Sequence, residues 1–361
     1  MRVLCAPNAF KGSLTAHEAA RAIARGARRA GASTVVFPVA DGGDGTATVL
    51  GGARVKLVVT GPYGERLPVE YRMRAGGEAV VEVAQVGLAR TKLRDPMRAR
   101  SDGVGEMIRD AIVRNARRVV LAVGGSATVD GGAGMVRALG GMWYVKGMRP
   151  WTRGGPPDQP VAFEAPDLRG CEVVAACDVG TRLDEAAGLF GPQKGATPDE
   201  VRELARRLEQ MAGFGPRRAA RLSGSGAAGG IGWAVAAQLG GRLQPGAAMV
   251  LEALGFDRAL RLCDLVLTGE GRWDRTTSEG KAPWAVVRAA RRAGIPAVAL
   301  CGQVIGKSRV ARAIAASSEE GLSKAAQLLE DAASAAVAEE LAAHRRAHGR
   351  PARQVRPPAR R

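Results

Sequence analysis

Short apolar runs alternate along the chain with stretches in which apolar residues recur at helical spacing. A helix is predicted to begin near residue 13 or 15, where Thr15 and Glu18 fit a capping box, and another over 282–293. Buried strands are predicted at 3–6, 34–39, 264–268 and 296–300. Strands that alternate with helices in this way are typical of a mostly parallel sheet covered by helices, so the pattern predicts an α/β fold.

The pattern changes between residues 55 and 83, where three strand-like runs are separated by glycine-containing turns. This spacing predicts an antiparallel meander. Beyond it the pattern predicts a loop over 151–166 and the following elements: a helix over 102–116, strands over 118–123 and 171–177, and a helix over 198–211.

A chain of 361 residues exceeds what one hydrophobic core usually supports, which favours two domains. The strand–helix–strand pattern near the end of the chain belongs with the first two strands. We therefore predict a discontinuous parallel-sheet domain of residues 1–58 plus 256–342. A mixed α/β domain of residues 59–255 is inserted into it, and residues 343–361 form a basic disordered tail.

The chain is strongly basic, with 53 Lys and Arg residues against 35 Asp and Glu residues and a net charge of +18. This charge raises the alternative of a nucleic-acid-associated protein. However, much of the excess lies in the tail, and aromatic residues make up only 4% of the chain, which is too few for base-stacking surfaces. No apolar stretch reaches the roughly 20 residues of a membrane-spanning helix, so we expect a cytoplasmic protein without a membrane partner.

Histidine and cysteine usage limits the chemistry. The chain has three histidines, two of them in the predicted tail, and five cysteines with no CxxC pair. This composition argues against a Ser-His-Asp triad, a histidine-rich metal site and a zinc site. Acid–base work must therefore fall to carboxylates or lysines.

Polar residues follow the predicted strands, and ligands of open α/β sheets bind beyond the carboxyl ends of strands. Lys11 and Ser13 follow the first strand, where a lysine could neutralise a transferring phosphate. Asp41 and Asp44 follow the second strand within a glycine turn. They could hold Mg²⁺ or accept a hydroxyl proton, although, taken alone, they are better explained by an Asx turn with a helix N-cap.

Two glycine-rich tracts could cradle phosphate through backbone N–H groups, and close packing of a turn or helix is the structural alternative for both. The candidates in the first tract are Gly124, Gly125, Ser126, Thr128, Asp130, Gly131 and Gly132. The candidates in the second tract are Ser223, Gly224, Ser225 and Gly226.

The remaining candidates are charged residues in loops. Asp178 ends a strand, and Lys194 lies in a loop shaped by glycine and proline. Glu270, Asp274 and Lys281 follow the strand at 264–268 as a polar cluster. Helix capping would explain Thr276 and Ser278 in the same segment.

These motifs, taken in order, resemble the bacterial glycerate kinase type 1 family. The resemblance runs from residue 3 to about 304, and more faintly to about 341. The matching segments are 6–14, 38–46, 124–134, 176–179, 190–197, 223–232, 268–272, Asp274 and 280–283. The resemblance implies a Mg²⁺-dependent kinase that phosphorylates D-glycerate with ATP, with the cleft between a Rossmann-like domain and the inserted domain. Relatives in bacteria mostly form 2-phosphoglycerate.

On this basis we assign Lys11, Asp41, Asp178 and Lys194 as catalytic residues, Asp44 and Asp178 as metal ligands, and the other candidates as substrate- or phosphate-binding residues. Several positions depart from the family pattern. Asn8 and Ala9 stand where Asp-Ser is common, Val129 replaces an asparagine, and the segment 179–189 is short. A catalytically altered relative that acts on another small hydroxy acid is therefore an alternative, and a homodimer stays open.

Overall fold

The computed structural model describes residues 1–275, 277, 280–315 and 318–348. It is a mixed α/β structure with one parallel sheet and one mixed sheet, which confirms the predicted α/β class. No helix within the described part of the chain is long and apolar enough to span a membrane.

The first sheet has five strands within the described ranges, and all of its pairings are parallel. In sheet order they are β16 (Ala311–Ala313), β14 (Ala297–Cys301), β12 (Leu265–Thr268), β1 (Arg2–Cys5) and β2 (Ser33–Val36). Four of these strands lie where the sequence predicts them. The edge strand β16 was not predicted.

Both faces of the first sheet are covered by helices, because successive strand side chains point to opposite faces. Val3 and Cys5 of β1 pack in the core beneath α1 (Ala16–Arg29) and α12 (Ala325–His348). Leu4 packs on the other face with α8 (Gly246–Ala253), α9 (Phe256–Leu260) and α10 (Ala282–Arg292). A strand buried on both faces needs the continuous apolar run that residues 3–6 provide.

The second sheet has six strands in the described part of the chain. In sheet order they are β11 (Arg242–Pro245), β10 (Glu172–Cys177), β6 (Arg118–Ala122), β5 (Glu78–Glu82), β4 (Arg66–Arg74) and β3 (Ala53–Thr60). The pairs β3–β4 and β4–β5 are antiparallel, which confirms the predicted meander, and the other pairings are parallel.

Most helices of the middle segment pack on one face of the second sheet. These are α3 (Asp102–Val113), α4 (Ala133–Ala138), α5 (Leu183–Phe190), α6 (Pro198–Ala212) and α7 (Ala227–Ala237). On the other face lie α2 (Thr46–Leu50) and α8. Since Leu251 of α8 packs with the first sheet and Val250 with the second, α8 is shared by both sheets.

The predicted loop over 151–166 is wrong in part, because β9 (Pro160–Glu164) lies within it. This strand pairs antiparallel with β7 (Met142–Val145), which also pairs with β8 (Arg149–Pro150). Phe163 of β9 packs against the buried Trp143 with ring centroids 4.8 Å apart. Cross-strand aromatic packing stabilises a strand whose apolar run is too short to be recognised from periodicity.

The remaining elements are β13 (Arg272–Trp273), which pairs with β15 (Gln303–Val304), and the helix α11 (Ser318–Ser323). At the end of the chain, α12 continues to His348, past the predicted start of the tail at 343. The rest of that tail lies outside the described residues. The predicted domain boundaries stay a prediction, and β3 crosses the one at residue 58.

Candidate functional site

A cavity of about 880 Å³ lies at the carboxyl ends of strands from both main sheets. The loops after β1, β2 and β12 reach it from the first sheet, and those after β6 and β10 from the second. The carboxyl ends of parallel strands meet at one edge, which explains why residues far apart in sequence converge here. The predicted site residues that line it are Lys11, Ser13, Asp41, Asp44, Gly124, Gly125, Asp178, Glu270 and Lys281.

The floor of the cavity is a backbone contact between the two sheets. The amide of Gly124 donates to the carbonyl of Gly42 over 3.3 Å. A Cβ added to Gly124 would lie 2.7 Å from the Cα of Gly43 and 3.0 Å from Asp178 Oδ2. Real Cβ atoms do not approach other atoms so closely, so the loop after β6 requires glycine at position 124.

Two carboxylates border this contact. A Cβ on Gly43 would lie 3.3 Å from Asp41 Oδ1 and 3.9 Å from Asp178 Oδ2, so both side chains face the same small space. Burial raises the pKa of Asp41, although hydrogen bonds from Gly43 and Asn8 oppose the shift. Burial and the charge of Asp41 raise the pKa of Asp178 to about 7. The paired carboxylates can therefore exchange a proton near neutral pH.

Asn8 holds one of these carboxylates. Its Nδ2 donates to Asp41 Oδ2 over 3.0 Å, while its Oδ1 accepts the amide N–H of Ala9 at 2.8 Å. Asn8 is buried and lines the cavity. The sequence marked Asn8 as a departure from the family pattern and gave no sign of this partner, which is 33 residues away.

Glu270 and Lys281 form a second charged group in the cavity lining. Lys281 Nζ lies 3.9 Å from Glu270 Oε2, and the hydroxyl of Thr277 donates to Glu270 Oε1 over 2.8 Å. Burial raises the pKa of Glu270 to about 7. Thr277 is fully buried, and sequence reasoning missed it. Thr276 and Ser278 lie outside the described residues.

Asp274 is close to this group but does not line the cavity. Its Oδ2 lies 3.3 Å from Arg272 Nε, and its amide donates to the hydroxyl of Thr277 at 3.2 Å. Its charge also helps to raise the pKa of Glu270. Asp274 therefore acts on the site through its neighbours.

The loop after β1 brings a flexible cation to the cavity. Lys11 is exposed, and the hydroxyl of Ser13 donates to the carbonyl of Phe10 over 3.1 Å, so that hydroxyl shapes the loop. The following helix α1 has the predicted capping box between Thr15 and Glu18. His17 of α1 also lines the cavity, and the sequence did not mark it as a site candidate.

The first glycine tract contributes only Gly124 and Gly125 to the cavity lining. Asp130 instead caps α4, because its carboxylate accepts the amides of Gly132 and Gly134 and the hydroxyl of Ser101, the last at 2.7 Å. The predicted cradle at Asp130, Gly131 and Gly132 is therefore the start of a helix whose N–H groups are already occupied.

Lys194, which was predicted as a catalytic residue, lies in the interior and away from the cavity lining. It is 3% exposed, does not line the cavity, and donates to the carbonyl of Thr128 at 2.7 Å and the hydroxyl of Ser126 at 3.2 Å. Burial lowers its pKa to about 7, while the charge of Asp130 opposes the shift. Through these contacts Lys194 links its loop to the first glycine tract.

The second glycine tract packs inside the structure. The hydroxyl of Ser225 donates to the carbonyl of Ala220 at 2.8 Å and accepts the amide of Leu183. A Cβ on Gly224 would meet Cys177 Sγ at 2.7 Å. The close-packing alternative therefore accounts for Gly224, Ser225 and Gly226. Ser223 is exposed and lies near Gly180.

The donor set of the cavity fits a magnesium ion. Asp44 lines the same cavity as Asp41 and Asp178. No three His, Cys, Asp or Glu side chains among the described residues form a complete metal site by themselves. Mg²⁺ usually keeps several waters and is bound through one or two carboxylates plus substrate phosphates, so these oxygen donors suit it.

Carboxylates and lysines that converge at the strand ends of an α/β structure suit phosphoryl transfer, which depends on positioning and on charge neutralisation. The model of the glycerate kinase family matches residues 3–349. Glycerate kinase from Bacillus subtilis (strain 168) is 37% identical over 326 residues, which cover 84% of this chain and 85% of the relative. Glycerate 2-kinase from Escherichia coli (strain K12) is 36% identical over 327 residues, covering 84% and 86%.

A comparison with solved structures also finds a glycerate kinase. A crystal structure assigned provisionally as glycerate kinase 2 from Salmonella typhimurium LT2 superimposes with a TM-score of 0.81 at 33% identity. The match covers 96% of this chain and 99% of that one. The chain belongs to the glycerate kinase family and is a phosphotransferase.

Proposed function

We propose that this protein phosphorylates D-glycerate with ATP and releases 2-phosphoglycerate. The observation that carries the proposal is the cavity in which Asp41, Asp178 and Lys11 meet, in a chain of the glycerate kinase family. A cavity of about 880 Å³ has room for a three-carbon acid and the phosphates of a nucleotide. Its lysines suit two anionic substrates.

In the proposed reaction the 2-hydroxyl oxygen of glycerate attacks the γ-phosphorus of ATP, and the bond from that phosphorus to the bridging oxygen of ADP breaks. Asp41 orients the hydroxyl and accepts its proton, since its half-buried side chain lines the cavity. In a loose phosphoryl-transfer transition state, most of the catalysis comes from positioning and charge neutralisation. Lys11 and Lys281 supply positive charge to the transferring phosphoryl group and to the glycerate carboxylate.

Asp44 and Asp178 would hold Mg²⁺, which when bound supplies positive charge to the phosphate oxygens. Gly124 and Gly125 line the cavity beside these carboxylates, so the phosphate-binding role proposed for them would fall to their backbone groups. Glu270 holds Lys281 in place, since its Oε2 lies 3.9 Å from Lys281 Nζ.

One coupled assay with D-glycerate, ATP and Mg²⁺ tests the proposal, provided that the product is resolved as 2- or 3-phosphoglycerate. We expect 2-phosphoglycerate and a requirement for the metal. We expect Lys11→Ala to lower kcat at least about 100-fold, because it removes positive charge from the transition state. The matched control is Lys92→Ala, which changes an exposed lysine outside the cavity. Wild-type turnover by Lys11→Ala would contradict its role, and no turnover of D-glycerate by the wild type would contradict the function.

A further inference from the structure

Asn8 is buried beside the paired carboxylates, and both ends of its amide are bonded. The Oδ1 atom accepts the N–H of Ala9 at 2.8 Å, which fixes the orientation of the amide. The NH₂ group must then point toward Asp41, whose Oδ2 accepts it at 3.0 Å. A flipped amide would place its oxygen against a carboxylate oxygen and lose both bonds.

We propose that Asn8 is a positioning residue that fixes the carboxylate of Asp41 for the acceptor hydroxyl, holding Oδ2 through its amide and acting together with the backbone hydrogen bond from Gly43. This inference rests on the proposed function, in which Asp41 receives the hydroxyl proton. Asp41 Oδ1 lies on the side of Gly43, facing the space that it shares with Asp178. Asn8 acts through Asp41 and takes no proton itself.

The bond spans the two loops that carry the reaction. Asn8 belongs to the loop after β1, which also carries Lys11, and Asp41 belongs to the loop after β2. The backbones of the two loops also meet where the amide of Val39 donates to the carbonyl of Pro7 over 3.0 Å. The amide therefore sets the carboxylate relative to Lys11, and an error of about 1 Å in such an arrangement can cost about 100-fold in rate.

The test compares Asn8→Ala with a matched control, Thr268→Val. The control removes another buried hydrogen bond near the start of the chain, from the hydroxyl of Thr268 to the carbonyl of Ala6 at 2.7 Å, without a contact to Asp41. We expect Asn8→Ala to lower kcat about 10- to 100-fold, as for loss of a hydrogen bond to a charged group, and to change KM for D-glycerate less than about threefold. We expect Thr268→Val to lower the melting temperature and keep kcat within about twofold.

Crystal structures of the wild type and of Asn8→Ala decide the geometry independently of activity. We expect the Asp41 carboxylate to rotate away from its wild-type position in the variant. An unmoved Asp41, an unchanged kcat, or an equal loss of kcat in Thr268→Val would overturn the inference. A wild type that does not turn over D-glycerate would instead overturn the proposed function, and the two crystal structures would still decide whether Asn8 fixes Asp41.

Discussion

Replacing Lys194 with methionine removes a buried amino group and keeps the length of the side chain. Lys194 is 3% exposed, and its Nζ donates to the carbonyl of Thr128 at 2.7 Å. Burial lowers its pKa from 10.5 to about 7, because the charged form loses its hydration. The charged amine therefore costs free energy in the folded protein, and the neutral amine does not carry that cost.

The direction of the pH dependence follows from proton binding. In the unfolded chain Lys194 keeps its proton up to pH 10.5, whereas in the folded chain it loses the proton near pH 7. Between these values the unfolded state holds more protons, so this group makes the protein more stable as the pH rises from 7 to about 10. The full cost is present below pH 7. At about 1.4 kcal/mol per pH unit it is on the order of 4 to 5 kcal/mol.

Urea denaturation at pH 6, 7.5 and 9 measures this effect. The free energy of unfolding of Lys194→Met minus that of the wild type should fall by about 2 kcal/mol between pH 7.5 and pH 9, because only the wild type gains stability there. The loss of the hydrogen bond from Nζ to the carbonyl of Thr128 lowers the stability of the variant by an amount that does not depend on pH. An exposed lysine changed in the same way, Lys92→Met, is the control. A pH-independent difference for Lys194→Met would contradict the lowered pKa of Lys194 in the folded protein.

Two further predictions concern the cavity floor. Gly124→Ala should lower kcat/KM at least about tenfold, because its Cβ would lie 2.7 Å from Gly43 and 3.0 Å from Asp178 Oδ2, and the loops must separate; a variant crystal structure with unmoved loops and full activity would contradict this. Asp178→Asn should lower kcat about 100-fold and raise the Mg²⁺ concentration needed for half-maximal rate, because an amide carries no charge for the metal. A Mg²⁺ titration of the rate measures both effects, and an unchanged Mg²⁺ requirement would rule out Asp178 as a ligand.

Much of the fold follows from local patterns in the sequence. The run at residues 3–6 predicts a strand buried on both faces, and the capping box at Thr15 and Glu18 marks the start of α1. Strand β9 could not be predicted in this way. It depends on the contact between Phe163 and Trp143, which are distant in sequence, and no periodicity within five residues reports such a partner.

The residues that line the cavity could be predicted where they follow a strand. Asp41 and Asp178 each follow a strand of a different sheet, and both line the cavity. Glycine-rich composition was a weaker guide, because the same residues serve tight packing and helix capping, as at Asp130. The partner of a buried lysine such as Lys194, 66 residues away at Thr128, is set by tertiary structure and leaves no local signal.

The glycine contact between Gly43 and Gly124 has a consequence for changing the substrate of this enzyme. A Cβ on Gly124 would lie 2.7 Å from the Cα of Gly43, so a side chain cannot be added at position 124 to contact the substrate without separating the two loops. Another wall of the cavity is built from side chains, including those of His17 and Leu322, which can be shortened or lengthened by substitution. Acceptance of longer hydroxy acids should therefore be selected by varying that wall while the glycine floor is kept.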